Sequence, residues 1–411
     1  MEKTKFVKSL ITGVLVLLTV AVLAAAPAAA ADTVASSVDW ENFVIKQGDN
    51  HGDVDIILSA DITLDNALVA EDKYLKNVKI NGNGHKITLK MNETAADNVA
   101  LIGCVENGNV EISNLTVEGA VVMKDLAGKN RAAALIAYAK GGNYTFTNVN
   151  IEGMKIVSGG SVGGFIGYAT KGAVISINSC TVNKSLIKAS ANYYSGGYIG
   201  CAEDGCEITI LKSALTNSWI RAEKVAAGGF VGCSAGELLN VSGCTVADSE
   251  IYGAFGQTGG IVGFMNSNLN VEYVGIYNST ILTTAAPALT AGASYRSAET
   301  IKFIGVGGLV GEKNGDQYTL TATETSIEST TIASNREIVN YIVGYPNLGS
   351  MNGVSVSADT KLMPEISAEL NPDLYEGKTV PVVVNTPFPL IGLLAGLGIA
   401  GLLIARKRKT E

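Results

Sequence analysis

The pentapeptide GGFIG at Gly163–Gly167 recurs along this chain as GGYIG at Gly196–Gly200, GGFVG at Gly228–Gly232 and GGIVG at Gly259–Gly263. Successive copies start 33, 32 and 31 residues apart. A fifth copy, GGLVG at Gly307–Gly311, starts 48 residues after the fourth, which is one period plus an insertion of about 16 residues. A pattern held at this period indicates one supersecondary unit repeated along a solenoid.

Three weaker copies keep the same phase on both sides: VALIG at Val99–Gly103, AALIA at Ala133–Ala137 and NYIVG at Asn340–Gly344. The chain therefore holds eight registered units. The glycines that define the repeat are Gly163, Gly164, Gly167, Gly196, Gly197, Gly200, Gly228, Gly229, Gly232, Gly259, Gly260, Gly263, Gly307, Gly308 and Gly311.

Each unit also contains a stretch of alternating apolar and polar residues after its glycines, for example VISINSCTVNKSLI from Val174 and LLNVSGCTVADSEI from Leu238. Period-two alternation with β-branched residues is typical of strands, and the short Asn, Gly and Ser groups between them are typical of turns. Units of this kind bury their apolar faces only by stacking. We therefore predict an all-β fold, a right-handed parallel β-helix of about nine coils.

In such a solenoid the pentad glycines have two expected roles, which are positive φ at a corner and close approach of successive backbones. The apolar pair inside each pentad is expected to fill the interior as two ladders. One ladder is Ile166, Ile199, Val231, Val262 and Val310, and the other is Phe165, Tyr198, Phe230, Ile261 and Leu309.

Charge is distributed unevenly along the 411 residues. The net charge is −8, but residues 1–31 carry +2 and residues 386–411 carry +3, so the middle carries −13. A body this acidic lacks the basic face that neutralises phosphates, which excludes nucleic acid as an expected partner. With two histidines in the chain, a His-ligated metal centre is also not expected.

The two ends of the sequence predict how the chain is placed relative to a membrane. Residues 1–31 have the basic, apolar and small-residue regions of a signal peptide. Residues 32–357 are expected to form the β-helix ectodomain with an N-terminal cap at Val38–Val44, and residues 358–386 a C-terminal cap and linker. Residues 387–405 are predicted to form a transmembrane helix, and 406–411 a basic cytoplasmic tail. Whether this anchor is retained or processed is left open.

The GGFVG and GGLVG units resemble the GLUG motif of bacterial and archaeal surface proteins, and IILSADITL from Ile56 with VKINGNGHKITL from Val78 looks like the first coil of many β-helix ectodomains. The resemblance implies an adhesin-like or surface-display protein on the extracellular face of the plasma membrane. It implies no catalytic residues. The expected partner is a glycan, an envelope polymer or a surface protein. Two alternatives are a polysaccharide lyase or hydrolase on the same scaffold, and a purely structural envelope component.

An enzyme on this scaffold needs two or three carboxylates that converge on one face. Glu203, Asp204, Glu237 and Glu312 instead follow their glycine units at irregular offsets, which is typical of solubilising turns. We therefore expect no enzymatic activity, no catalytic residue and no cofactor. His85, in NGNGH, is interpreted as part of a structural turn.

The six cysteines are expected to follow the repeat. Cys104, Cys201 and Cys233 each follow the last residue of a pentad, which predicts one interior column, and Cys180 and Cys244 predict a second. Most are expected to be buried thiols, with Cys201–Cys233 or Cys201–Cys206 as the candidate disulfides. A zinc site is not expected, because no second C-x-x-C or His group accompanies them.

The insertion between about Thr283 and Ile304 is the candidate recognition loop. Loops that project from a rigid scaffold commonly carry binding residues. Tyr295 and Arg296 lie inside this insertion, and an aromatic ring beside a guanidinium suits a sugar or a carboxylate. A loop without a binding role remains the alternative.

Overall fold

A computed structural model describes residues 30–65, 73–94, 96–126, 130–191, 193–254, 256–283, 305–314, 317–334, 339–345 and 350–363. The predicted signal peptide up to residue 29, the residues Tyr295 and Arg296, and the predicted transmembrane helix and tail lie outside these residues. Within them, no helix has both the length and the apolar character that a membrane crossing requires.

The described chain is an all-β, right-handed parallel β-solenoid, as predicted. One coil contains five strands: β10 (Val162–Gly163), β11 (Ile166–Thr170), β12 (Val174–Asn178), β13 (Thr181–Asn183) and β14 (Leu186–Ala189). Each strand pairs in parallel with its equivalent in the next coil, so that Ile166 faces Ile199 and Ile175 faces Ile208. Among the described residues, the short strands that lead into the pentads, such as β10, form a separate eight-stranded parallel sheet.

The remaining strands follow the same order along the chain. They are β1 (Asp32–Val34), β2 (Val54–Leu58), β3 (Ile62–Leu64), β4 (Val78–Asn81), β5 (Lys86–Thr94), β6 (Asn98–Val99), β7 (Ile102–Met123), β8 (Arg131–Ala133), β9 (Ile136–Ser158), β15 (Ser195–Gly196), β16 (Ile199–Glu203), β17 (Glu207–Leu211), β18 (Ala214–Thr216), β19 (Trp219–Ala222), β20 (Ala227–Gly228), β21 (Val231–Ala235), β22 (Leu238–Ser242), β23 (Thr245–Ala247), β24 (Glu250–Gly253), β25 (Thr258–Gly259), β26 (Val262–Met265), β27 (Asn268–Glu272), β28 (Gly275–Tyr277), β29 (Thr280–Thr283), β30 (Val306–Gly307), β31 (Val310–Lys313), β32 (Leu320–Thr323), β33 (Ser326–Glu328), β34 (Thr331–Ser334), β35 (Val339–Asn340), β36 (Val343–Tyr345), β37 (Ser350–Asn352), β38 (Ser355–Val356) and β39 (Lys361–Met363).

The N-terminal segment begins with β1, which pairs in parallel with β2. A short helix α1 (Ser37–Trp40) then continues through a π-helical turn (Glu41–Ile45) into α2 (Lys46–Asp49). The Ser36 hydroxyl oxygen accepts a hydrogen bond from the Asp39 N–H and caps this helix. Trp40 is buried in the core, so the helix covers the first coil with an aromatic side chain.

At the C-terminal side, strand pairing continues past residue 357, the predicted end of the ectodomain. Strand β39 pairs in parallel with β34, and Lys361, Leu362 and Met363 face Thr331, Ile332 and Ala333. The segment predicted as a cap and linker from residue 358 therefore begins with solenoid. Alternation was too short there to distinguish a strand from a loop.

The two ladders predicted inside the pentads line the interior. All ten side chains are fully buried. The rings of Phe165 and Tyr198 stack with centroids 5.0 Å apart, and those of Tyr198 and Phe230 lie 4.9 Å apart. The buried Tyr198 hydroxyl is within hydrogen-bond distance of the carbonyls of Cys180 (2.9 Å) and Ala214 (2.8 Å), so the ladder accepts a tyrosine without leaving its polar atom unpaired.

The pentad glycines have one of their two expected roles. None of the fifteen has a positive φ, so that expectation was wrong. Their role is close approach, because a Cβ on Gly164, Gly197 or Gly229 would overlap the carbonyl oxygen of the next coil's glycine. Positive φ values occur at other corners, mostly at residues other than glycine, for example Lys184 (49°), Asn217 (50°) and Asp248 (51°).

A column of buried hydroxyls lies directly after the positive-φ corners at Lys184, Asn217 and Asp248. The Ser218 Oγ donates to the Thr216 carbonyl (2.7 Å) and accepts from the Ser185 N–H (3.1 Å) of the preceding coil. Ser249 accepts from the Ser218 N–H in the same way (3.2 Å). Because the corner interrupts the strand ladder, these hydroxyls satisfy backbone donors that would otherwise be buried without a partner.

We predict that Gly229→Ala destabilises the protein by about 3 kcal/mol, because the added methyl group cannot be accommodated without moving the next coil. Gly205→Ala is the control, since it has a positive φ but open space around it, and should cost about 1 kcal/mol. Urea unfolding midpoints compare the two variants. Equal losses would contradict close approach as the role of the pentads.

We predict that Ser218→Ala costs about 2 kcal/mol, because it leaves the buried Ser185 N–H without an acceptor. Ser176→Ala, on the outward side of β12, should change the unfolding midpoint little. A Ser218→Ala variant as stable as the Ser176→Ala variant would show that the hydroxyl column is dispensable.

Candidate functional site

The outward side of the strands that follow the pentads carries the first group of candidate residues. Register pairing places Tyr138, Tyr168, Cys201, Cys233 and Phe264 in one column, each facing the next. Cys104 faces Tyr138 at its N-terminal end. The column that the sequence predicts from the cysteines therefore exists, but it also contains aromatic residues, among them Tyr138, Tyr168 and Phe264.

This column is not in the solenoid interior, and that expectation was wrong. Cys201, Cys233, Phe264 and Ala226 form a small cluster of their own, separate from the main core. Ile166 and Ala169 both belong to the main core. Side chains on one face of a regular strand are an even number of residues apart. Because these two are three apart, the side of the strand that faces the core must switch near Gly167. Residues that follow the last glycine consequently point outward and are covered by Tyr194 and Val225.

The other three cysteines, Cys180, Cys206 and Cys244, do lie in the main core. Ser213 separates Cys180 from Cys244, since its Oγ accepts from the Cys180 N–H (3.1 Å) and its carbonyl accepts from the Thr245 N–H (3.0 Å). The two thiols are thus two coils apart, as expected. None of the six cysteines is in a disulfide in this structure, and the two candidate disulfides, Cys201–Cys233 and Cys201–Cys206, stay predictions.

Glu203 joins Cys201 and Cys233 in a compact thiol–carboxylate cluster. The three ligand atoms lie within 4.8 Å of one another. Cys201 and Glu203 are two residues apart on β16, so the strand's period of two puts both on its outward face. The Cys201 thiol donates to Glu203 Oε1 (3.4 Å), and the Tyr168 hydroxyl donates to Glu203 Oε2 (2.7 Å). The sequence predicts a turn at Glu203, whereas this residue is the last of strand β16.

Burial controls the ionisation of this cluster. Desolvation, with hydrogen bonding to Cys233, raises the pKa of the Cys201 thiol well above its usual value. Desolvation, followed by the hydrogen bond to Glu203, also raises the pKa of the Tyr168 hydroxyl. The pKa of Tyr194 is raised by desolvation and by its neighbours Cys233, Cys201 and Glu203. Without a ligand, the Cys201 thiol and the two phenols are therefore neutral.

A second candidate group lies on and just before strand β28, where two tyrosines are exposed. Tyr277 is 37% exposed, and its phenol end lies over Gly275, where a Cβ would overlap the ring. The Ser326 Oγ donates to the Tyr277 oxygen (3.1 Å) and holds the ring in place. Tyr273 is 60% exposed and precedes the strand by two residues. Tyr273 and Tyr277 thus expose two aromatic side chains, one before β28 and one at its end, and we call this pair the tyrosine platform.

Tyr273 occupies a corner with positive φ (53°), a conformation that is unusual for a bulky residue. The equivalent corners of neighbouring coils hold Lys212, Gly243 and Glu324, also with positive φ. The tyrosine platform is not among the sites predicted from the sequence. The sequence signal for this platform is Gly275, which stands two residues before Tyr277, so that both residues lie on the same face of one strand.

Several carboxylates elsewhere have separate partners. Asp49 binds Lys73 (2.7 Å), and Glu118 binds Lys86 (3.0 Å). His85 lies 3.4 Å from Asp61 at its predicted turn, and that carboxylate also accepts from the Lys86 N–H. Glu312 is buried and accepts from the Gln257 amide (2.6 Å), so it too is not in a solvated turn. Within the described ranges, the thiol–carboxylate cluster is the one group of three or more such ligands close enough to hold a metal ion.

We predict that the core thiols of the native protein react slowly with iodoacetamide. Burial raises the pKa of Cys180 to about 11, of Cys206 to about 11 and of Cys244 to about 12. At pH 8 the thiolate fraction, and hence the alkylation rate, should be about 100-fold below that of the unfolded chain for Cys180 and Cys206 and about 1000-fold below it for Cys244, rising about tenfold per pH unit towards pH 11. Mass spectrometry of each cysteine measures this, and native rates equal to unfolded rates would contradict the burial.

Residues 38–172 match a family model described as "Putative pectate lyase-like adhesive domain". One solved structure with a similar chain is that of "a putative immunoglobulin A1 protease from Bacteroides ovatus", with 17% sequence identity and a TM-score of 0.46 over 69% of this chain and 82% of that chain. No curated protein matches. The N-terminal part of this β-solenoid is thus similar to a pectate lyase-like adhesive domain.

Proposed function

We propose that this protein is an adhesin-like module of the cell surface that binds a glycan without cleaving it. Two findings support an adhesive role: the match of residues 38–172 to an adhesive domain, and the extended solenoid that presents side chains in repeating rows. We further propose that a signal peptide at residues 1–31 exports the chain and that residues 387–405 anchor it in the plasma membrane. The resemblance to GLUG-motif surface proteins supports the same location.

The tyrosine platform is the observation that carries glycan binding. The C–H groups of a pyranose ring pack against an aromatic face, while its hydroxyls bond to polar side chains at the rim. The Tyr277 ring lies against the sheet on one side and is accessible to solvent. Ser326 and Thr245 flank Gly275 in the neighbouring coils, and the exposed Glu328 faces Tyr277. These groups supply the polar rim.

Binding without cleavage is supported by how the carboxylates are placed. A polysaccharide lyase or hydrolase needs carboxylates that act on one bond. In the described segments the acidic side chains at Asp49, Glu118 and Glu152 each pair with a different lysine. No three of them form a group comparable to the thiol–carboxylate cluster. Release of reducing ends or unsaturated sugars from a polysaccharide panel would overturn this part of the proposal.

We predict that a glycan array probed with the purified chain gives a defined set of ligands, and that Tyr277→Ala weakens their binding at least about tenfold through loss of the stacking surface. Tyr341→Ala is the matched control, because Tyr341 is also 37% exposed but lies away from β28, in the pentad between β35 and β36. Gly275→Ala should weaken binding too, because the methyl group displaces the Tyr277 ring. Equal effects of Tyr277→Ala and Tyr341→Ala would contradict the platform as the binding surface.

A further inference from the structure

We propose that Cys201, Cys233 and Glu203 form a binding site for a thiophilic divalent cation of the Zn²⁺ type. Thiolate and carboxylate are ligands that Zn²⁺ accepts together in tetrahedral sites. Cys201 and Glu203 come from one strand and Cys233 from the next coil, and their ligand atoms already lie within 4.8 Å of one another. The proposal does not depend on glycan binding.

The spacing of the ligand atoms fits such an ion. With a Zn–S bond of about 2.3 Å and a Zn–O bond of about 2.1 Å, tetrahedral geometry places sulfur and oxygen about 3.6 Å apart. Cys201 Sγ and Glu203 Oε1 are 3.4 Å apart. Small side-chain rotations are therefore sufficient to place an ion between them, and a water molecule would complete a coordination of four.

The neighbouring tyrosines orient the ligands. The Tyr168 hydroxyl donates to Glu203 Oε2 (2.7 Å), which leaves Oε1 directed towards the thiols. Hydrogen bonds of this kind fix ligand orientation in metal sites and help to determine affinity. Tyr194 packs against the cluster that contains both thiols, which restricts the movement of their side chains. Both tyrosines pack on the cluster and contribute to its dry surroundings.

The solenoid gives the site rigidity. Cys201 and Cys233 are direct register partners in adjacent parallel strands, so their separation is set by the strand spacing of about 4.8 Å. Both thiols are buried, while Glu203 is partly exposed and provides the access route. A disulfide between the two sulfurs is the competing arrangement, but it would make no use of the carboxylate.

The test uses the full-length chain, purified under reducing conditions, stripped with a chelator and then titrated with Zn²⁺ or Co²⁺. We expect one equivalent of Zn²⁺ by elemental analysis and a thiolate-to-Co²⁺ charge-transfer absorption. Cys201→Ser and Cys233→Ser should abolish that absorption. Cys180→Ser and Cys244→Ser are the matched controls, because these thiols are equally buried but lie in the main core, and their variants should bind as the parent does.

Two further variants test the oxygen ligand without a change in volume. Glu203→Gln should weaken Zn²⁺ binding strongly, and Tyr168→Phe should weaken it about 10- to 100-fold by releasing the carboxylate. Circular dichroism confirms that each variant is folded. The proposal is overturned if the reduced protein retains no stoichiometric Zn²⁺, or if folded Cys201→Ser, Cys233→Ser and Glu203→Gln bind it as tightly as the parent.

Discussion

The close approach of successive coils at the pentad glycines is the constraint on which this structure depends. At Gly164, Gly197, Gly229 and Gly260, the position of a Cβ is occupied by a carbonyl oxygen of the next coil. Only glycine permits that distance, so the pentads fix which residues lie above one another. Once this register is set, the apolar pair inside each pentad stacks into ladders in the core, and the hydroxyl column satisfies the buried N–H groups at a corner.

The same register creates the two candidate sites in different ways. The strands change their inward side near the last glycine of the pentad, so the next residue points outward into a cluster separate from the core. Cys201, Glu203 and Cys233 meet there because of strand period and coil spacing together. On strand β28, by contrast, Gly275 leaves space on the outer surface that the Tyr277 ring fills. The solenoid thus provides one buried polar cluster and one exposed aromatic surface.

The two sites suggest a division of roles. The tyrosine platform is exposed and suits contact with a large ligand, whereas the thiol–carboxylate cluster is enclosed and suits an ion that joins neighbouring coils. An ion bound between β16 and β21 would cross-link two coils, as a disulfide would, without requiring an oxidant. Binding at the surface and stabilisation of the scaffold could then be measured independently.

Sequence alone determined the fold class, the period, the ladder residues and the separation of Cys180 from Cys244, because each depends only on spacing along a repeat. It could not determine the φ values of the pentad glycines or the side of the sheet on which Cys201 lies, because both depend on where the backbone bends between strands. Glu203 looked like a turn residue until β16 placed it beside two thiols. Contacts between coils are set by side-chain direction as well as register, and only the tertiary structure supplies that direction.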